Sequence, residues 1–274
     1  MMPRSLSRAL LYGTLIAGAV FAILPMVWMV SASFMPTGMA NSTPPHFFPT
    51  ALTLEHYRTL FTRLNLGRYL LNSTIVAVTV TGLSLLINSL AGYAFAKLRF
   101  KGRDRAFRIL LTGLVVPVQV AMLPLFLLLR EMGFINTYWG VIVPGMASIF
   151  GIFLVRQYAL SIPDDLLDAA RIDGADEFRI YRSVVVPAIT PILATLAIWT
   201  FLNTWNDFLW PLIVLSDESK WTLPVAIANL SGEHVQDTEL MMAGSVVTVL
   251  PVVGVFLVLQ RYYVAGIMQG SVKG

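Results

Sequence analysis

The chain contains no cysteine and little charge. The first absence removes disulfide frameworks and thiolate metal sites, and it leaves the redox compartment unread. Charged residues make up only 12% of the 274 positions while 57% are hydrophobic, and the mean hydropathy is +0.74. A water-soluble domain cannot hide that much apolar surface, so the chain is an integral membrane protein. No stretch reads G-x-x-x-x-G-K-[ST], so there is no Walker A loop, and any ATP-driven work must use a partner. H-E-x-x-H is missing too, and the three histidines, His46, His56 and His234, read as ordinary loop residues and not as metal ligands. The apolar runs hold no paired carboxylates or basic residues that could relay protons or sense voltage, which counts against a proton-coupled antiporter or a voltage-gated channel. A pI near 9.5 would point to nucleic acid in a soluble protein. Here the distribution of the basic residues matters more than their sum, and no nucleic-acid partner is expected.

What is present is a series of long apolar runs, at about 9–33, 69–96, 109–129, 138–155, 188–215 and 241–263. Each is long enough to cross a bilayer core of roughly 30 Å as a helix. The expected fold is all-α, one domain over 1–274 with six transmembrane helices. The first run is too long for the apolar core of a cleaved signal, although Val30-Ser31-Ala32-Ser33 imitates a cleavage site. A polar segment with Pro44, Pro45 and Pro49 follows, and Thr53-Leu-Glu-His-Tyr reads as an N-capped surface helix. The second run is rich in Ser, Thr, Ala and Gly, the residues that let helices pack closely in lipid. Pro117, Pro124 and Pro144 fall within or beside runs three and four, where neighbouring helices can satisfy the freed carbonyls.

Orientation follows from the basic residues. With the N-terminus inside, only Arg58, Arg63, Arg68, Arg130 and Lys220 of the 19 fall outside. That asymmetry places both termini, the tail 264–274 and the dense basic turn 97–108 in the cytoplasm. For the basic turn, anchoring the topology is explanation enough.

The long polar stretch 161–187, SIPDDLLDAARIDGADEFRIYRSVVVP, also falls in the cytoplasm. Pro163 near a first helical position and Ser161 with Asp164 in a capping-box pattern predict a helix through Leu166, Leu167, Ala169, Ala170 and Ile172. Gly174 ends it. Phe178, Tyr181 and Val184 or Val185 give a second helix one apolar face until Pro187 terminates it. Ala169, Ala170, Gly174 and Ala175 leave the elbow almost bare, so a foreign backbone can approach. A solvated loop needs neither capped amphipathic halves nor a bare elbow, and docking is the reading that fits both.

One further stretch is polar where the pattern is membrane-spanning: Asn203, Asn206, Asp207 and Trp210, within NTWNDFLWP. Two readings stand side by side. Amides, a carboxylate and indoles can line a permeation path and bind sugar hydroxyls and C–H faces. Alternatively the tryptophans form an interfacial belt with the polar groups near the headgroups.

The 161–187 stretch resembles the EAA loop of bacterial ABC-importer permeases, E-A-A, three residues, G, nine residues, I-x-L-P. Here it stands as Asp168-Ala169-Ala170, then Gly174, then nine residues to Val184-Val185-Val186-Pro187, with aspartate for the glutamate and valines for the Ile and Leu. LTLEHY at 52–57, NSLAGYAFAKLRFKGRD at 88–104, WNDFLWPL at 205–212 and the terminal GSVKG resemble the carbohydrate branch of that family, MalG-type. The resemblance implies a type I ABC-importer permease fold in the bacterial cytoplasmic (inner) membrane and a non-enzymatic role. It implies three kinds of partner beside lipid: a second, MalF-type permease, a MalK-type ATPase dimer and an extracytoplasmic solute-binding protein facing 216–240. ATP and Mg would reside on the ATPase, with no cofactor in this chain. Asp168, Ala169, Ala170, Asp173, Gly174 and Ala175 would dock on the ATPase, and Gly270, Ser271 and Lys273 would reach toward it. Sugar import is the implied task. A glycerol-3-phosphate or polyol permease is the alternative within the family, and a stand-alone channel or carrier the alternative outside it.

Overall fold

In the computed structural model the described residues are helices joined by turns, without strands. The structure describes residues 4–44, 46–233 and 237–271, excepting the side chains of 4–7, 9, 230–233, 259 and 261–271. Among these residues five helices are long and apolar enough to cross a membrane, and six if a sharply bent pair counts as one crossing. The chain divides into two units, Met1–Gly67 with Ala226–Pro251, and Arg68–Val225 with Val252–Gly274.

In the first unit, α1 (Arg4–Ala32) is the first crossing and α2 (Glu55–Thr62) is a short amphipathic helix. Thr53 does not cap α2 as predicted. Leu54 holds the N-cap position, and the Thr53 hydroxyl accepts from the Glu55 N–H one position early, at 3.2 Å. His56 is not an ordinary loop residue either. It is 3% exposed, one turn before fully buried Leu60, with Nε2 2.8 Å from the Met35 carbonyl and Nδ1 3.9 Å from an Asp237 carboxylate oxygen. The start of the last helix, α13 (Thr238–Ser271), is tied to the same region. The buried Glu239 carboxylate accepts from the Ala40 N–H at 2.7 Å, and Asn41 and Thr238 exchange hydrogen bonds at 2.8 and 3.1 Å. Residues far apart in sequence are thus stapled by side chains. His234 lies outside the described residues.

The second unit is built around α3 (Leu66–Lys97). It contains no proline, whereas Pro25, Pro124, Pro144, Pro191 and Pro251 each fall inside another helix. Small residues let other helices come close, as the pattern predicted. A Cβ on Gly92 would sit 2.6 Å from a Val155 methyl carbon. One core joins Tyr93, Val155, Leu167, Ile180 and Tyr181, and a second joins Val76, Val80, Val141, Trp210 and Val214.

The third apolar run is not the single helix expected over 109–129. Here α4 (Arg103–Thr112), extended by a 3-10 turn at Gly113–Val115, meets α5 (Val118–Glu131) at 106°. Pro117, extended at the junction, has no N–H to continue the ladder. Crossing four is likewise two half-helices, α6 (Tyr138–Gly145) and α7 (Ile149–Ala159). Fully buried Asn88 on α3 bridges their gap, accepting from the Ser148 N–H at 3.0 Å while donating to Ser84 Oγ at 2.7 Å. In a hydrocarbon setting such freed backbone groups need an internal partner, and this amide supplies one.

After α8 (Asp164–Ile172), α9 (Glu177–Ile180) runs through a π turn at Tyr181–Val185 into α10 (Val186–Trp205). Pro187 was expected to end the second helix of the polar stretch, and it does not. The wider π turn just before it changes the hydrogen-bond register where a proline would otherwise leave a carbonyl unpaired, so the helix continues to Trp205. The fifth apolar run breaks instead at 206–208, before the short α11 (Leu209–Val214). Helix α12 (Leu223–Glu233) follows.

Candidate functional site

The elbow at 164–180 owes its shape to its backbone. Helix α8 ends in a Schellman closure, with the Gly174 N–H donating to the Arg171 carbonyl and the Ala175 N–H to the Ala170 carbonyl, both at 3.0 Å. That closure demands a left-handed residue, and Gly174 supplies it at φ +81°. Asp176 then caps α9 by accepting from the Arg179 N–H at 2.7 Å. At the entry the predicted capping box is absent. Pro163 holds the N-cap position, the Ser161 hydroxyl turns back to the Tyr158 carbonyl at 2.7 Å, and Asp164 is taken by Lys97.

Inward, Leu167 and Ile180 are each 1% exposed. Outward lie Asp168, Ala169, Asp173 and Gly174, with Ala170 and Ala175 half-buried. Phe178, expected to share an apolar face with Tyr181 and Val184 or Val185, is 65% exposed, and Ile172 is 87% exposed. Two bare apolar side chains flanking a tight glycine turn form a surface suited to a partner.

Three residues one turn apart on α3 grip this elbow from beneath. Ser89 Oγ and Tyr181 Oη share a hydrogen bond at 2.6 Å, and Tyr93 Oη donates to Glu177 Oε2 at 2.6 Å. The Lys97 ammonium donates to the Ile162 carbonyl and to Asp164, each at 2.6 Å. Lys97 holds the Asp164 carboxyl below its usual range, chiefly through that hydrogen bond. Arg171 links the two halves of the elbow, donating Nε to Glu177 at 2.9 Å and Nη1 to Asp168 at 2.6 Å, and these partners raise its already high pKa. A cleft of about 900 Å³ opens between the elbow and the basic turn, lined among others by Arg99, Asp168 and Arg171. Sequence reading missed the grip of Ser89, Tyr93, Lys97, Arg171 and Glu177. The signal was available in part, since Ser89, Tyr93 and Lys97 recur every four residues at the end of an apolar helix.

The second set of candidates does not converge. Trp210 is 6% exposed in the second core, its indole N–H donating to the Gly140 carbonyl at 3.1 Å, so it packs inside the chain. Asp207 is half-buried and accepts from the Trp210 N–H at 3.3 Å, organising the start of α11. Asn203 and Asn206 are exposed, each donating one amide N–H to its own helix, to the Trp199 and Leu202 carbonyls at 2.7 and 2.8 Å. Gly270 and Ser271 belong to α13 by backbone alone, and Lys273 lies outside the described residues.

Comparison with known proteins places this geometry. The chain is 40% identical over 259 residues to the arabinooligosaccharides transport system permease protein AraQ of Halalkalibacterium halodurans, covering 93% of each chain. It is 34% identical to the lactose transport system permease protein LacG of Rhizobium radiobacter, covering 98% of each. Its fold resembles a chain in the crystal structure of a bacterial ABC transporter that imports the acidic polysaccharide alginate, with a TM-score of 0.83 at 24% identity over 96% of this chain and 99% of that one. Residues 88–269, which include the elbow, the α3 grip and α10, match the family described as binding-protein-dependent transport system inner membrane component. The chain therefore belongs to that family, as a multi-pass inner-membrane transport component and not an enzyme.

Proposed function

We infer that this chain is one of two permease subunits of an ATP-driven importer of oligosaccharides, working with an external solute-binding protein. The observation that carries the coupling role is the elbow. Its backbone is closed by Gly174, its apolar side chains Ile172 and Phe178 are exposed, and Glu177, held by Arg171 within the elbow, binds it to Tyr93 of α3. Such a surface fits a cleft on a separate ATPase, with Asp168 to Ala175 as the contact, because the chain has no nucleotide loop of its own. ATPase closure would then move α3 and α10 between two arrangements of the path. Asn203, Asn206 and Asp207 are the proposed polar lining, the tail with Gly270, Ser271 and Lys273 reaches toward the ATPase pair, and both termini face the cytoplasm. The relatives that carry arabino-oligosaccharides and lactose favour a neutral sugar over a phosphorylated polyol.

Affinity capture of the tagged chain from its native membrane tests the assembly. Recovery of an ATPase and a second permease in stoichiometric amounts is the expected result. A chain that conducts alone in proteoliposomes overturns it.

A further inference from the structure

Trp210, a candidate for the path, packs inside the chain, and a different indole stands exposed on α10. Helix α10 turns by about 100° per residue, so Thr195, Trp199, Asn203 and Asn206 fall on one stripe roughly 80° wide. Trp199 is 55% exposed, held on one side by Phe150 at a centroid distance of 5.6 Å and a tilt of 49°. Each asparagine below it in the chain gives one N–H to the helix, which leaves an amide oxygen and a second N–H directed away from the backbone. Two amides on a membrane-crossing helix are poorly placed against hydrocarbon, where nothing answers them. They belong against water or a polar guest.

We propose that Trp199, with Asn203 and Asn206, forms a saccharide contact in the translocation path, the indole lying against sugar C–H surfaces and the amides exchanging hydrogen bonds with hydroxyls. The stripe carries no charge, so it takes neutral sugar units in preference to uronates or sugar phosphates. Thr195 sits on the same stripe but returns its hydroxyl to the Pro191 carbonyl at 3.2 Å, so the recognition end is the asparagine end. This inference rests on the oligosaccharide-importer reading above.

The test uses the whole complex in proteoliposomes with its loaded binding protein, following uptake of arabinotriose and lactose together with ATP hydrolysis. Trp199→Ala is expected to lower uptake at least tenfold while hydrolysis stimulated by the binding protein stays within a factor of two. Trp199→Phe, which keeps an aromatic face, should retain a third or more, and Asn203→Ala should fall between the two. Wild-type uptake in all three variants overturns the proposal. So does loss of the second permease from the Trp199→Ala complex, which would mark the stripe as a helix–helix contact, or a parallel fall of uptake and hydrolysis. A wild-type complex that takes up neither sugar overturns the importer reading, and this proposal with it.

Discussion

Tyr93 on α3 donates to Glu177 at the head of α9, and the same carboxylate receives Arg171 from α8. One acidic group therefore joins a membrane-crossing helix to both arms of the elbow. Tyr93→Phe removes a charge-assisted hydrogen bond worth about 1.5–3 kcal/mol and leaves the ring in place. The expected outcome is an intact complex in which sugar moved per ATP hydrolysed drops several-fold. Paired uptake and phosphate-release assays on the same preparation check it, and an unchanged ratio contradicts the link.

Gly174 separates two effects that a single substitution usually mixes. No atom lies within 4 Å of a Cβ built there, so Gly174→Ala meets only the left-handed backbone, a cost of about 1 kcal/mol. It should lower the melting temperature of the complex slightly and keep most uptake. Gly174→Asp adds bulk and charge on the proposed docking surface and should abolish uptake while membrane insertion, read by detergent extraction and blotting, is unaffected.

The Lys97–Asp164 pair predicts a pH response of known sign. The folded carboxyl titrates lower than the unfolded one, so its stabilisation is present above the usual carboxylate range near 4 and is lost as pH falls through the depressed folded value. The melting difference between wild type and Asp164→Asn should stay level from about pH 5 to 8 and shrink only in stronger acid. A difference that grows on acidification would refute the assignment.

Asn88 is expected to be the most sensitive polar residue of α3. Asn88→Ala leaves the Ser148 N–H without its acceptor at the break in crossing four, costing about 1–3 kcal/mol. Thermal unfolding of the purified complex should drop accordingly, and a midpoint equal to wild type would contradict the bridge.

Much of this was legible from the chain alone, and the failures share a cause. The apolar runs, the small residues of α3 and the Gly174 elbow follow from composition and local backbone needs, which act over a few residues. What escaped depends on partners distant in sequence. Trp199 and Trp210 look equivalent in a string, yet packing against α6 buries one and α10 presents the other. His56 looked like a loop histidine because Met35 and Asp237, its neighbours, cannot be seen from position 56. Pro187 should have ended a helix by local rules, but a π turn absorbs it, and nothing local marks where such a register change will fall.

The unbroken α3 is fastened at both ends. Away from the elbow, Tyr69 donates to Glu218 at 2.8 Å, Asn72 to the Ser219 and Trp221 carbonyls at 3.0 and 2.9 Å, and Ser73 accepts from the Leu223 N–H at 2.7 Å. Between Asn72 and Lys97 lie about 40 Å of helix with no proline at which to yield. In the proposed cycle a push on the lysine end would arrive at the asparagine end as a displacement of the same rod. Under the proposed coupling, the segment at 217–223 would be the far end of a lever whose near end is Glu177.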